Sequence, residues 1–325
     1  VERDPRDTPH VLVLVGATAS GKTATIVRLA TWLPVEVISA DSRQVYRYLD
    51  VGTAKPTVEE RQRVLHHCID IRDPDQSYSA GEFAADALSL IPAIWHRGKL
   101  PCVVGGSGFY IHALCYGLFE APPAPLLHQV RRQLQLRLQR EGRDRLYEEL
   151  CRVDPELAAR YSDRNPRRIL RALEFYYATG LPLSHAHRLY PPREPPFVTF
   201  WVGLHWERAQ LYERINRRAQ WMWEHGLVEE TERVLAMGYP PDSPGFNTHG
   251  YAECIAYLRG ELSEAEALAR MQQRTRQYAK RQLTWFRRYS HIRWIPADPD
   301  PAVTAERLYL LLRTWLPETL RESLP

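Results

Sequence analysis

His10-Val-Leu-Val-Leu-Val-Gly16-Ala-Thr-Ala-Ser-Gly21-Lys22-Thr23 decides the fold. The run from Val11 to Val15 is apolar without alternation, as expected of a strand buried on both faces of a parallel sheet. It ends at a glycine, and Gly16 to Thr23 fits the pattern G-x-x-x-x-G-K-[ST]. Lys22 to Leu33 then reads as a helix closed by Pro34. Strand, glycine-bounded loop and helix in this order form a phosphate cradle. Gly16 and Gly21 let the intervening Ala17, Thr18, Ala19 and Ser20 fold so that backbone N–H groups converge on phosphate oxygens. The helix start adds its positive end. Lys22 supplies a point charge, and the Thr23 hydroxyl is the expected ligand of Mg²⁺.

Outward from the loop, Val35 to Ala40 is a second apolar strand, followed by Asp41-Ser42-Arg43-Gln44. Ligands of open α/β sheets sit beyond the carboxyl ends of the strands, so Asp41 faces the same crevice as the cradle. A carboxylate there can be a general base, a magnesium partner acting through water, or a turn cap. Position alone leaves all three open. Gln44 carries the amide that pairs with adenine, and equally suits a solvated loop. Ser79 and Glu82 form a capping box before a helix reaching about Arg97. Leu100 to Val104 is a third strand, followed by Gly105, Gly106 and a helical stretch. The alternation predicts an α/β fold: a P-loop NTPase-like parallel sheet with helices on both faces. There is no N-K-x-D for guanine, and Ser42 rather than Glu follows VEVISAD. GTPases and motor-type ATPases are thereby disfavoured, while small-molecule kinases stay open.

The alternation stops at EAPPAP, Glu120 to Pro125. Leu126 to Ala178 is helical only, with caps at Asp154-Pro155 and Asn165-Pro166 and a stop at Gly180. Pro191 to Pro196 is a second connector. The expected organisation is a core segment 1–123, a helical insertion domain 124–196 and a second core segment 197–325. In the last, Val198 to Leu204 reads as a strand and Glu207 to Met237 as helix with a joint at Gly226. Ser263 to Tyr289 reads as a long helix, His291 to Ile295 as a short strand, and Ala302 to Trp315 as a terminal helix.

Charge distribution narrows the partners. The 325 residues carry a net +4, and four of the 43 basic residues are Lys. Ala267 to Ala297 holds eight Lys and Arg with no acid; Ala124 to Tyr190 holds thirteen Arg against eight acids. Such clustering fits a polyanion, and also a solvated basic helix over an aromatic stripe. Arg274, Arg281 and Arg288 are spaced to share one helix face, with Tyr278, Trp285 and Phe286 interleaved. Trp201, Trp206, Trp221 and Trp223 read as packing. Five scattered cysteines without a C-x-x-C pair suit a reducing compartment and argue against a zinc framework. His66-His67-Cys68 looks metal-like, yet adjacent side chains of an extended segment point to opposite faces. No apolar run reaches membrane-span length, and Val1 to His10 lacks a signal-peptide pattern. A cytoplasmic protein with no membrane partner is expected.

Taken with the cradle, several blocks occur in a telling order: ADSRQVY at Ala40 to Tyr46, VGTAKP at Val51 to Pro56, DIRDP at Asp70 to Pro74 and YSAGEF at Tyr78 to Phe83. VGGSGFY at Val104 to Tyr110, NPRR at Asn165 to Arg168, RALE at Arg171 to Glu174 and TRQYAKRQLTWFR at Thr275 to Arg287 follow. This ordered set, over about residues 11 to 288, resembles the tRNA dimethylallyltransferases. The cradle alone is unspecific; the set is specific. The resemblance implies transfer of a dimethylallyl group from dimethylallyl diphosphate to N6 of the adenosine just 3′ of the anticodon, position 37. The products would be N6-isopentenyladenosine and diphosphate, with Mg²⁺ as cofactor. It implies that Gly16 to Thr23 holds a prenyl diphosphate rather than ATP. It also implies a channel that the flipped adenine and the diphosphate enter from opposite ends.

Carried over by position, Asp41 takes the role of general base, and Thr18, Lys22, Thr23 and Arg218 contact the diphosphate, with Thr18 and Arg218 counted as catalytic. The resemblance selects Arg218; spacing could not separate it from Arg217. Contacts to tRNA are implied for Asp41, Ser42, Arg43 and Gln44, and for Ser107. In the insertion they fall on Arg131, Asn165, Pro166, Arg167, Arg168 and Ile169. Later in the chain they fall on His249, Gly250 and Tyr251, then on Lys280, Arg281, Gln282, Trp285, Arg287 and Arg288. Two departures stand out. Ser107 replaces the family's threonine and keeps the hydroxyl. Thr248-His249 stands where an isoleucine-type residue usually precedes Gly-Tyr, which leaves the contacts of that loop open. No zinc finger follows the core, so a bacterial-type enzyme is implied; a monomer is expected.

The chemistry is consistent with these roles. Cleavage of an allylic C–O bond needs cations and N–H donors on the departing diphosphate, above all in the transition state. Adenine N6 becomes acidic as the new bond forms, and a carboxylate within hydrogen-bond reach can take its proton. Water must be kept from the allylic centre, and a stacked adenine must be flipped to reach a crevice. Two other readings remain at this stage. A small-molecule kinase would use ATP and need no RNA. A non-catalytic RNA-binding P-loop protein would lose no chemistry on Asp41→Ala.

Overall fold

The computed structural model describes residues 8–118, 127–189, 194–317 and 320. The connector at Glu120 to Pro125 and the first half of Pro191 to Pro196 lie outside them. The chain forms two compact units, Val1–Cys115 with Pro195–Pro325, and Tyr116–Glu194.

In chain order the first unit begins with β1 (His10–Gly16), α1 (Lys22–Leu29), β2 (Val35–Ala40), α2 (Val58–Arg63) and β3 (His66–His67). It continues with α3 (Ala80–His96), β4 (Leu100–Gly105) and α4 (Gly108–Tyr116). The second unit contributes α5 (Leu127–Val153), α6 (Pro155–Arg160), α7 (Pro166–Thr179) and α8 (Leu183–Leu189). The first unit resumes with β5 (Val198–His205), α9 (Arg208–Met222), α10 (Val228–Ala236) and α11 (Tyr251–Leu258). It ends with α12 (Glu264–Phe286), β6 (Arg293–Pro296) and α13 (Pro301–Arg313).

The six strands are all parallel, in the order β3-β2-β4-β1-β5-β6. β1 lies between β4 and β5, with Leu14 opposite Val104 on one side and Val202 on the other. Val11 to Val15 are fully buried, so both faces of the strand are covered, which is why its sequence does not alternate. Leu12, Leu14, Ile26, Leu29, Leu308 and Leu312 join β1, α1 and α13 in one core. α1 stops at Leu29, short of the expected Leu33. Thr31 and Trp32 already bond three residues back, and Pro34 disfavours a helical Leu33. The joint expected at Gly226 is there, at φ +102 between α9 and α10.

Glu36, buried in β2, accepts from Arg97 and pairs with Lys99 and His67. That assigns His67 to an acid rather than to a metal, while His66 Nδ1 lies 2.7 Å from the Val64 carbonyl. Among the described residues no cluster of three His, Cys, Asp or Glu could hold a metal ion, and no helix is long and apolar enough to cross a membrane.

The second unit packs Leu134, Leu146, Leu150, Leu173 and Phe175 at its centre. Its longest helix, α5, bends at Gly142, whose φ is +79. Asn165 caps α7 by accepting from the Arg167 N–H, with Pro166 at the first position and Gly180 at φ +73 as the stop. Arg131 pairs with Glu174 at 2.9 Å. The Ile169 side chain is buried in this core.

Candidate active site

The cradle takes its shape from two left-handed residues. Gly21 sits at φ +91 at the start of α1, and Ala19 at φ +64. Lys22 folds back, its Nζ donating to the Gly16 and Ala17 carbonyls at 3.1 and 2.9 Å. Burial pulls its ammonium down to about 8, with Asp41 opposing and Arg218 adding to the shift. Burial likewise pulls Arg218 down to about 10, again opposed by Asp41, with Arg214 adding. Two cations with depressed pKa values side by side are short of counter-charge, which defines an anion site. With Thr23, Asp41, Gln44, Lys55 and Arg217 they line a cavity of about 520 Å³.

Asp41, at the end of β2, accepts from the Arg43 N–H at 2.8 Å. Arg218, on α9, donates to the Thr18 hydroxyl. A second cavity of about 70 Å³ adjoins, with Ile215, Ala219, Met222 and Met271 as its apolar wall. Thr18, Asp41, Arg218 and Tyr278 line both cavities. Three residues expected to be catalytic therefore stand where a polar, cationic cavity meets an apolar one.

Helix α12 locks this arrangement through Gln282. Its Oε1 accepts from the Thr18 N–H at 2.8 Å, and its Nε2 donates to the Gly106 carbonyl at 3.0 Å. A Cβ on Gly106 would stand 2.1 Å from that Nε2, so the second glycine of VGGSGFY makes room for the latch. Ser107 Oγ accepts from the Ser42 N–H at 2.9 Å, joining the ends of β2 and β4. His249 borders the apolar cavity beside Tyr278. Burial, opposed by Glu253 and reinforced by nearby arginines, holds its imidazole at about 4, so it is neutral at physiological pH.

The residues from which RNA contacts are expected fall into internal and exposed groups. Tyr251 is fully buried, and its hydroxyl donates to Glu230 at 2.6 Å. Gln282 is internal, as just described. The Gln44 amide, which lines the cavity, accepts from Ser39 Oγ at 2.9 Å and donates to the Ala54 carbonyl at 3.0 Å. Arg274 donates to Glu253 at 2.7 Å, and Arg288 lies beyond the end of α12, so the three-arginine face is not a continuous helical one. Lys280, Arg281, Arg287 and Arg288 are exposed, with the Arg288 guanidinium 3.8 Å from the Trp285 ring centroid. Ser42, Arg43, Ser107 and His249 do gather near Asp41. In the second unit Arg167 and Arg168 are exposed at the start of α7.

Two functional carriers escaped the sequence reading. Lys55 Nζ donates to the Tyr46 carbonyl at 2.6 Å, to Asp50 at 2.7 Å and to Asp70, closing the loop after β2. As one of only four lysines, inside VGTAKP, it was findable. Glu230 accepts from the N–H groups of Asp50, Val51 and Gly52; no local pattern marks it.

These distances describe a P-loop-class protein whose loop borders a cationic cavity with an apolar one beside it. The IPP transferase family model matches residues 44–289, and the chain belongs to that family. It is 44% identical over 313 residues to the tRNA dimethylallyltransferase of Thermomicrobium roseum, covering 96% of this chain and 92% of that protein. It is 42% identical over 317 residues to the tRNA dimethylallyltransferase of Salinibacter ruber, covering 97% and 96%. Among solved structures, the tRNA isopentenylpyrophosphate transferase of Bacillus halodurans superposes with a TM-score of 0.69 at 37% identity, over 96% of this chain and 97% of that one. A eukaryotic dimethylallyltransferase acting on tRNA superposes with a TM-score of 0.79 at 25% identity, over 95% and 79%.

Proposed function

We propose that this chain transfers a dimethylallyl group from dimethylallyl diphosphate to N6 of adenosine 37 of tRNA, releasing diphosphate. The observation that carries this reading is the position of Asp41, Thr18 and Arg218 where the cationic and apolar cavities meet. With the diphosphate on the loop and the five-carbon tail against Met222 and Met271, the allylic carbon falls at that boundary. Lys22, Arg218 and the loop N–H groups take the negative charge as the C–O bond breaks and its electron pair leaves with the diphosphate. The N6 lone pair forms the new C–N bond, and Asp41 accepts the N6 proton. The apolar wall keeps water from the allylic carbon.

Mg²⁺ suits the hard oxygen donors of this cavity. The Thr23 hydroxyl and the ligand's own phosphate oxygens would hold it, adding charge neutralisation for the departing diphosphate. On the RNA side the adenine must leave its stack. Ser42, Arg43 and Ser107 stand nearest Asp41, and Lys280, Arg281, Arg287 and Arg288 supply exposed cations for the phosphodiester backbone. The proposal is completed by a monomeric enzyme acting in the cytoplasm, where tRNA is. The test supplies labelled dimethylallyl diphosphate, Mg²⁺ and an unmodified anticodon stem-loop, with ATP as competitor. Label in RNA, recovered as N6-isopentenyladenosine and insensitive to ATP, is expected. Consumption of ATP with no labelled RNA would replace this reading by a kinase.

A further inference from the structure

We infer that Trp206 and Arg214 form a clamp that holds the tip of the phosphate loop in its binding shape, making them positioning residues for the diphosphate. The inference rests on the function proposed above. Trp206 Nε1 donates to the Ser20 carbonyl at 3.0 Å, and Arg214 Nε donates to the Ala19 carbonyl at 3.0 Å. The Arg214 guanidinium lies 4.3 Å from the Trp206 ring centroid, so the indole that holds one carbonyl is also the shelf that places the donor for the other.

Both contacts act on the strained part of the loop. Ala19 is held at φ +64, a conformation that an L side chain disfavours. Carbonyl and N–H of one peptide plane point in opposite directions. Holding the Ser20 carbonyl outward therefore faces the Gly21 N–H the other way. With Lys22 taking the Gly16 and Ala17 carbonyls, four carbonyls of the loop are turned to donors of the protein. A carbonyl swung into the cradle would repel the phosphate that the loop must attract. Arg214 and Arg218 are four residues apart on α9, hence on one face, and bond successive loop residues, Ala19 and Thr18. The helix that supplies a diphosphate cation thus also shapes the loop that receives the diphosphate.

The test titrates pyrophosphate with Mg²⁺ into the full-length protein and its variants by calorimetry, alongside steady-state transfer kinetics. Trp206→Phe keeps the ring and loses one donor; a loss of about threefold in pyrophosphate affinity is expected. Trp206→Leu removes donor and shelf together, and about tenfold is expected. Arg214→Lys keeps the charge but loses the planar fork, and is expected not to restore binding. In each the donor KM rises in step, while kcat at saturating donor and the KM for RNA stay within about twofold. Trp206→Leu combined with Arg214→Ala is expected to lose less than the product of the single losses, because both act through one loop. Unchanged affinity in Trp206→Leu, full recovery with Arg214→Lys, or a parallel fall in kcat would overturn the clamp alone. A wild-type protein that bound no pyrophosphate would overturn the proposed function as well.

Discussion

Arg218 and Gln282 show how single side chains decide this site. Arg218 is a half-buried cation whose pKa is drawn down to about 10 by desolvation, opposed by Asp41. Its worth is realised when negative charge develops on the departing diphosphate. Arg218→Gln is expected to lower kcat by about 10²- to 10³-fold, more than it weakens pyrophosphate binding. Rapid-quench transfer beside a binding titration would check this, and equal losses in both would mean that Arg218 only binds. Gln282 carries no charge, yet it borders the cationic cavity and joins Thr18 to Gly106. Gln282→Leu leaves the Thr18 N–H and the Gly106 carbonyl without this partner. A stability loss of about 1–3 kcal/mol is expected by denaturant titration, with a lower transfer rate because Thr18 loses its anchor.

At the scale of elements, β2 carries function at one end and stability at the other. Asp41 follows its carboxyl end, and Glu36 lies near its start. Burial alone would raise the Glu36 carboxyl, but hydrogen bonds from Arg97, His67 and Lys99 outweigh it and hold it at about 2. A folded-state pKa below the unfolded value gives stability that is present above about pH 4.5 and is lost as pH falls toward 2. Glu36→Gln is expected to lower stability at pH 7 by no more than about 3 kcal/mol and to flatten the acid limb of the stability curve. An acid limb as steep as that of the wild type would show the carboxylate to be unimportant. Much of this level was legible in the sequence. The unbroken Val11–Val15 run, the cradle and the Ser79–Glu82 box each carry their physical cause within a few residues. α2 and the two-residue β3 were not legible, because elements so short are fixed by neighbours rather than by their own pattern. The Gln282–Thr18 latch spans 264 residues, and local spacing holds no trace of it. Trp206 was read as packing because burial and hydrogen bonding look alike in a sequence.

For the whole molecule, two kinds of electrostatics are separated in space. Lys22 and Arg218 are half-buried in the cavity at the loop, whereas Lys280, Arg281, Arg287 and Arg288 lie exposed on and just after α12. Binding of RNA is therefore expected to fall steeply with salt, while pyrophosphate binding changes less. Replacing Lys280 or Arg287 by Ala should weaken stem-loop binding for all sequences alike and reduce the logarithmic salt slope by about 1 each. Fluorescence anisotropy at several ionic strengths measures it, and an unchanged slope would remove that residue from the RNA surface.

In the proposed reaction Asp41 takes the adenine proton beside a diphosphate held by the loop. Asp41→Asn tests it most directly, because the amide keeps the shape and loses the base. Dimethylallyl transfer to the stem-loop is expected to fall by at least about 10²-fold while pyrophosphate still binds the variant with Mg²⁺. Transfer at the wild-type rate in Asp41→Asn would contradict it.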